Sequence, residues 1–97
     1  MPVYVDDARI SWRGRVWSHM VADTAEELHQ AAEALGIRRE RAQDKGRTLH
    51  YDLPEDWRLK AIELGVAKPI SRRELVQRRA GFAAGLKAAN RKQLTPR

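Results

Sequence analysis

The sequence has no cysteine among its 97 residues. That excludes disulfides, thiolate nucleophiles and zinc sites built on sulfur, and it agrees with a reducing cytoplasm as the expected location. It also lacks any apolar run near the ~20 residues that a membrane helix needs, and its N-terminus carries no apolar segment of the signal-peptide kind. No membrane role is therefore expected. No Gly-rich phosphate loop, nucleophile elbow or zincin helix motif occurs either. Acidic residues are scarce at one end: from Ser71 to Arg97 there are eight basic residues and a single acid, a balance of +7. Residues 1–70 hold eleven basic and twelve acidic residues, so the whole excess of +6 lies after residue 70.

What is present reads as one soluble domain. Hydrophobic residues make up 42% of the chain and charged residues 33%, enough apolar content for a modest core. VYV near the start is a β-branched and aromatic strand. RISWRGRVWSHM is extended and turns as a hairpin at Arg13 and Gly14, with Trp12 and Trp17 helping to cover the sheet. In DTAEELHQAAEALG, Thr24 and Glu27 have capping-box spacing, Leu28, Ala31, Ala32 and Leu35 recur at helical period, and Gly36 ends the run. Residues 37–47 suggest a short strand or connection and then a mobile loop around Asp44, Lys45 and Gly46. TLHYDL is extended. PEDWRLKAIELG is a second helix with Pro54 in its first turn and Gly65 at its end. VAKPI is a short strand.

Ser71 and Glu74 form another capping box and open a third helix, with Leu75, Phe82, Leu86 and Ala89 near one stripe. That helix is expected to run past Gly81, although Gly81 and Gly85 each weaken it by roughly 1 kcal/mol relative to Ala. The resulting class is α/β: a small mixed sheet with an N-terminal hairpin and about three helices. Residues 1–70 form the core, and 71–97 a basic helix and tail of the same domain.

Three extended segments end in polar, ligand-capable residues. The first ends at Asp6 and Asp7, the second at His19 with Asp23 just beyond, the third at His50, Tyr51 and Asp52. In open α/β sheets the ligand crevice lies outside the carboxyl ends of the strands, so these residues are expected to line one concave region there. His50 and Asp52 are two apart and share one face of a strand. With Asp6 they are the candidate ligands of a divalent cofactor, zinc or manganese for a mixed set and magnesium for an oxygen-rich one. Each residue also has a plainer role. Asp23 and Asp52 precede helices and suit N-caps; Asp6 and Asp7 suit a turn; His29 sits on an exposed helix flank.

Helix N-termini near Thr24 and Leu53 offer backbone N–H groups to a phosphate. Arg38, Arg39, Arg41, Lys45 and Arg47 then close over it, or else form a solvated loop. Arg72, Arg73, Arg78, Arg79, Lys87, Arg91 and Lys92 suit a nucleic-acid partner through counterion release, or equally a solvated helix face.

VYVDDARI, RGRVWSHMVADTAEELHQAAEALGIRRERAQ and HYDLPEDWRLKAIELGVAKPISRREL together resemble the bacterial and phage family called domain of unknown function 4031, over roughly residues 2–76. Its specific pieces are the YVDD, SHMVAD and HYD segments. The resemblance implies a cytoplasmic bacterial or phage setting and supplies no activity. Three classes of function stay open: a binder of a phosphate-bearing ligand such as a nucleotide or nucleic acid, a metal-dependent phosphoesterase or nuclease, and an interaction module docking through the last helix on a protein or a second copy.

Overall fold

The computed structural model describes residues 3–44 and 48–83. Its centre is one long strand, β3 (Arg15–Ala22), which pairs antiparallel with β1 (Val3–Val5), β2 (Ile10–Trp12) and β4 (Tyr51–Pro54). β5 (Lys68–Pro69) adds to β1 in parallel, so the five-stranded sheet is mixed, as expected. α1 (Ala25–Ala34) lies between β3 and β4, α2 (Glu55–Glu63) between β4 and β5, and α3 (Arg72–Gln77) follows β5. The class read from sequence, α/β with a hairpin and three helices, is the class observed.

The β2–β3 hairpin turns at Arg13 and Gly14, both with positive φ (50° and 74°). A two-residue turn of that hand matches the twist of its strands. Gly14 takes the conformation freely, whereas Arg13 lays its guanidinium over the Trp12 ring at 4.6 Å. α1 starts where the capping box places it: Thr24 accepts the Glu27 N–H and donates its hydroxyl to the Glu27 carboxylate. Gly36, at φ +77°, follows its last turn.

Alternation along the strands gives the sheet two different faces. Val3, Val5, Met20, Ala22, Tyr51 and Leu53 point to one side, where they form the main core with Leu28, Ala31 and Ala32 of α1 and Ala61 of α2. Tyr4 and Val21 point to the other, under Leu75 and Phe82. Phe82 meets Tyr4 at 5.7 Å between ring centroids. Arg78 stacks over both rings and pairs with Glu74.

Of the short strand or connection read from residue 37, residues 37–44 form the connection, with a 3₁₀ turn at Arg39–Arg41 and one isolated bridge, Gln43 to His50. Two local expectations are corrected. Pro54 closes β4 and stands just before α2 rather than inside it. α3 ends at Gln77 and is followed by a 3₁₀ turn at Arg79–Gly81, so the long third helix does not form over these residues. The chain instead returns to the sheet, where the Ala83 N–H donates to Ala22 C=O at 2.7 Å and the Ala83 carbonyl accepts from Leu49 N–H. Phe82, read near one stripe of that helix with Leu75, is 6% exposed, so it is not available for docking through the last helix. Leu86, Ala89, Lys87, Arg91 and Lys92 lie outside the described residues, as do Lys45 and Arg47.

Phe82 is the anchor that keeps α3 on the second face. Phe82→Ala should cost about 3 kcal/mol in denaturant unfolding, the usual range for emptying a buried aromatic position. A cost below 1 kcal/mol would mean that the segment is held by its backbone bonds alone.

Candidate functional site

His19 and Asp52 are direct cross-strand neighbours in the β3–β4 register, on the sheet face opposite the main core. His50 is two residues before Asp52 and shares its face. The Nε2 atoms of His50 and His19 lie 3.4 and 4.0 Å from the same carboxylate oxygen, Asp52 Oδ1. The two imidazoles meet edge-on, 5.4 Å between centroids. One ligand-capable atom from each of these three residues lies within 4.8 Å of the other two. Among the described residues it is the one such group of three.

The other nitrogen of each ring is held from behind. His50 Nδ1 is 3.0 Å from the Thr48 carbonyl, which can only accept, so Nδ1 carries the proton. His19 Nδ1 is 2.9 Å from Asp6 Oδ2. Burial pushes the Asp6 carboxyl up, but hydrogen bonds from the His19 ring, the His19 N–H and the Ala8 N–H outweigh it and hold the group below the usual carboxylate range. Asp6 is therefore ionised at neutral pH and accepts from His19 Nδ1. With Nδ1 of each ring held by an oxygen acceptor, both rings direct Nε2 toward Asp52, the orientation that metal-binding histidines receive from their outer partners. The hydrogen bond from His50 is the main reason Asp52 also lies below its usual range, despite burial. Gln43 Nε2 donates to Asp52 Oδ2 at 2.8 Å and fixes the carboxylate plane.

Asp6 is wholly buried and lies behind His19. Of the three expected metal ligands, His50 and Asp52 face each other directly; His19 stands where Asp6 was expected, and Asp6 supports it. Arg58, buried on α2, donates from Nε to the Asp6 carbonyl at 2.7 Å and lies near the Glu55 carboxylate. Asp7 accepts the Arg72 N–H at 2.8 Å and so fastens the start of α3 to the end of β1. That fastening brings Arg72 Nη1 to 3.6 Å from Asp6 Oδ2.

The remaining expected residues separate. Val3 pairs with Ala22, so Asp23 lies off the opening end of β1, away from Asp6, and Thr24 caps α1 in its place. Asp23 is corrected out of the cluster. Asp52 caps no helix either. Tyr51 points into the core and bonds His29 Nδ1 at 2.6 Å. Burial raises the Tyr51 hydroxyl and lowers the His29 ring, so Tyr51 donates to a neutral imidazole. The Arg39 charge is felt at that pair rather than at the cluster. His29, expected to be exposed, is half-buried.

Two hollows flank the cluster. The smaller, about 150 Å³, has His19, His50, Arg72 and Arg79 in its walls together with Val21, Thr48 and Leu75. Four cationic or hydrogen-bonding side chains around a small cavity suit an anion. The larger, about 480 Å³, runs from Asp52 past Arg38 to Trp17 and Trp57. The site thus lies on a sheet face, with His19 in mid-strand, and not in a crevice at strand ends.

The segment bearing Arg72 and Arg79 sits inside the same family boundary as the cluster. A family model described as "Protein of unknown function (DUF4031)" matches residues 3–81. The chain belongs to that family. The DUF4031 match continues past residue 76 and takes in α3 and the turn after it. Its YVDD segment supplies Asp6 and Asp7, SHMVAD supplies His19, and HYD supplies His50 and Asp52. No curated protein and no solved structure matches the chain.

Sequence reasoning missed Arg58, Gln43 and the supporting role of Asp6. Arg58 carried a signal: it stands three residues after Glu55 on one helix face, an ion-pair spacing. Gln43 carried none.

Proposed function

We propose that the protein holds a divalent metal ion at His19, His50 and Asp52 and uses it on a phosphate ester, a nucleotide or nucleic acid, as a metal-dependent phosphoesterase. One observation carries this reading: two histidines have Nδ1 tied to oxygen acceptors and both present Nε2 to a single carboxylate oxygen. With Nδ1 occupied on both rings, Nε2 is the atom each has left to offer a metal. Two nitrogens and one oxygen suit zinc or manganese. Three protein ligands leave further positions for water or substrate, the pattern of catalytic rather than structural sites. A metal so bound lowers the pKa of water and so supplies a nucleophile near neutral pH.

The chain's own residues have separate parts in this scheme. Arg72 and Arg79 face the small hollow and offset phosphate charge; Asp6 and Thr48 keep the imidazoles in the right tautomer; Gln43 fixes Asp52. The second reading, a binder without turnover, is favoured by the same arginines.

Turnover of a phosphodiester such as bis-p-nitrophenyl phosphate, with zinc or manganese added to metal-stripped protein, separates the two. Metal-dependent release of nitrophenolate that falls at least 100-fold in both His50→Ala and Asp52→Asn supports the enzyme. Metal-dependent retention of a nucleotide without turnover supports the binder. Neither would leave the cluster a structural feature of the sheet.

A further inference from the structure

The larger hollow has walls of a different chemistry from the metal cluster, and it shares one residue with it. From Asp52 it passes Leu53 and Pro54 to the indoles of Trp17 and Trp57, with Arg15, Arg38 and Arg41 around it. Its acidic members are Asp52 and Glu40. Asp56, outside it, forms an exposed ion pair with Arg15 at 3.5 Å. Both indoles are only partly buried. Trp17 is held by its Nε1, which donates to the Trp12 carbonyl at 3.0 Å. Trp12 packs edge-on against it at 6.1 Å and is 57% exposed, with the Arg13 guanidinium over its ring.

We infer that this cleft and the tryptophan hairpin beside it receive single-stranded nucleic acid, with an unpaired base between the indoles and arginines and the adjoining phosphate at Asp52. Basic grooves with interleaved aromatic side chains bind single strands because every base has a face to stack and every linkage a charge to neutralise. A duplex hides those faces. A volume of about 480 Å³ lies within the range of small-ligand sites. Arg15 is paired with Asp56, so Arg38 and Arg41 are the guanidinium groups left to face Glu40 and Asp52, and Asp52 is the carboxylate that a bound cation would offset. This assignment rests on the proposed function only for the position of the phosphate; strand binding is a separate property.

The test uses the whole chain in EDTA, so that loss of the metal reading cannot remove the signal. A 12-nucleotide single-stranded oligonucleotide and its duplex are titrated while tryptophan fluorescence is followed. Quenching by the single strand, with affinity at least tenfold above the duplex, is expected. Trp12→Phe should keep most of the quench and Trp17→Leu should lose most of it.

Arg38 and Arg41 are exposed and can be changed without disturbing the core. Arg38→Gln with Arg41→Gln should weaken single-strand binding roughly tenfold at low salt. It should also lower the log–log salt slope by about 1.4, two phosphates at ~0.7 each. Equal affinity for duplex and single strand, or no change in the arginine double variant, overturns the inference. So does light scattering that shows a dimer which the double variant dissolves, because the cleft would then be a contact between two copies. Failure of metal binding with strand binding intact would sink only the proposed metal site.

Discussion

Adding zinc or manganese to metal-stripped protein should raise its melting temperature by about 10–20 °C at a free metal concentration 100 times the dissociation constant. A ligand that binds only the folded state at 100 times its dissociation constant adds about 2.7 kcal/mol. For a domain of 60–100 residues, each kcal/mol moves the melting point by about 4–8 °C. The effect requires that the three ligands be brought together by folding, and they are. His19 comes from the middle of β3, Asp52 from the partner strand, and His50 from the segment before it. An unfolded chain has no such constellation.

His19→Ala, His50→Ala and Asp52→Asn should each remove most of the shift. His29→Gln should retain it, since His29 bonds Tyr51 on the other side of the sheet. Affinity should fall as pH is lowered, because protons compete for the ligand atoms. The metal reading is lost if millimolar zinc, manganese, cobalt and nickel all move the melting point by less than 1 °C. It is also lost if the three ligand variants respond as the wild type does. The protein used must carry no polyhistidine tag, which would bind these metals by itself.

The parts of this fold that were legible in the sequence are those decided within a few residues. The Thr24–Glu27 capping box, the Arg13–Gly14 turn and the 3.6-residue period of Leu28, Ala31, Ala32 and Leu35 each depend on neighbours in the chain, and each stands where it was read. The site was half legible for the same reason. His50 and Asp52 share a face because strands alternate, whatever they pair with. His19 joins them only through the β3–β4 register, which no local pattern specifies.

Asp23 was misplaced because β3 does not stop at His19 but runs three residues further, to Ala22. That extension carries Asp23 off the far end of the sheet. The third helix fails for a non-local reason as well. Phe82 finds Tyr4 and Val21 across the molecule, and burying it there requires the chain to leave the helical path after Gln77. What looked like a basic tail is in part the cover of a sheet face, and two of its arginines reach the site only because it folds back.

Asp6 offers the sharpest division between stability and function. Its side chain is fully buried and serves four partners. Oδ1 accepts from His19 N–H at 2.8 Å and Ala8 N–H at 3.2 Å, while Oδ2 accepts from the His19 ring and faces Arg72. Asp6→Ala leaves these donors without an acceptor. Each orphaned buried group costs about 1–3 kcal/mol, while the partly exposed Arg72 loses little when its partner goes. A loss of about 4 kcal/mol is expected, a large share of the 5–15 kcal/mol that holds a small domain folded.

Asp6→Asn behaves differently. Its oxygen can still accept from the two backbone N–H groups, so it should cost only about 1–2 kcal/mol. Its NH₂ group, however, replaces Oδ2, and a donor now faces His19 Nδ1. The ring can accept from that donor only with Nδ1 unprotonated and its proton on Nε2, the nitrogen aimed at Asp52. The amide variant should therefore fold and yet lose at least 10-fold, and up to 100-fold, in metal affinity, the usual cost of removing an outer partner. Nitrogen NMR of the imidazoles reads the change directly: the His19 proton on Nδ1 in the wild type and on Nε2 in Asp6→Asn. If the amide variant binds metal as tightly as the wild type, or keeps the proton on Nδ1, Asp6 does not set the tautomer. Asp6 would then be a fold-stabilising carboxylate alone, and the orientation of His19 would need another cause.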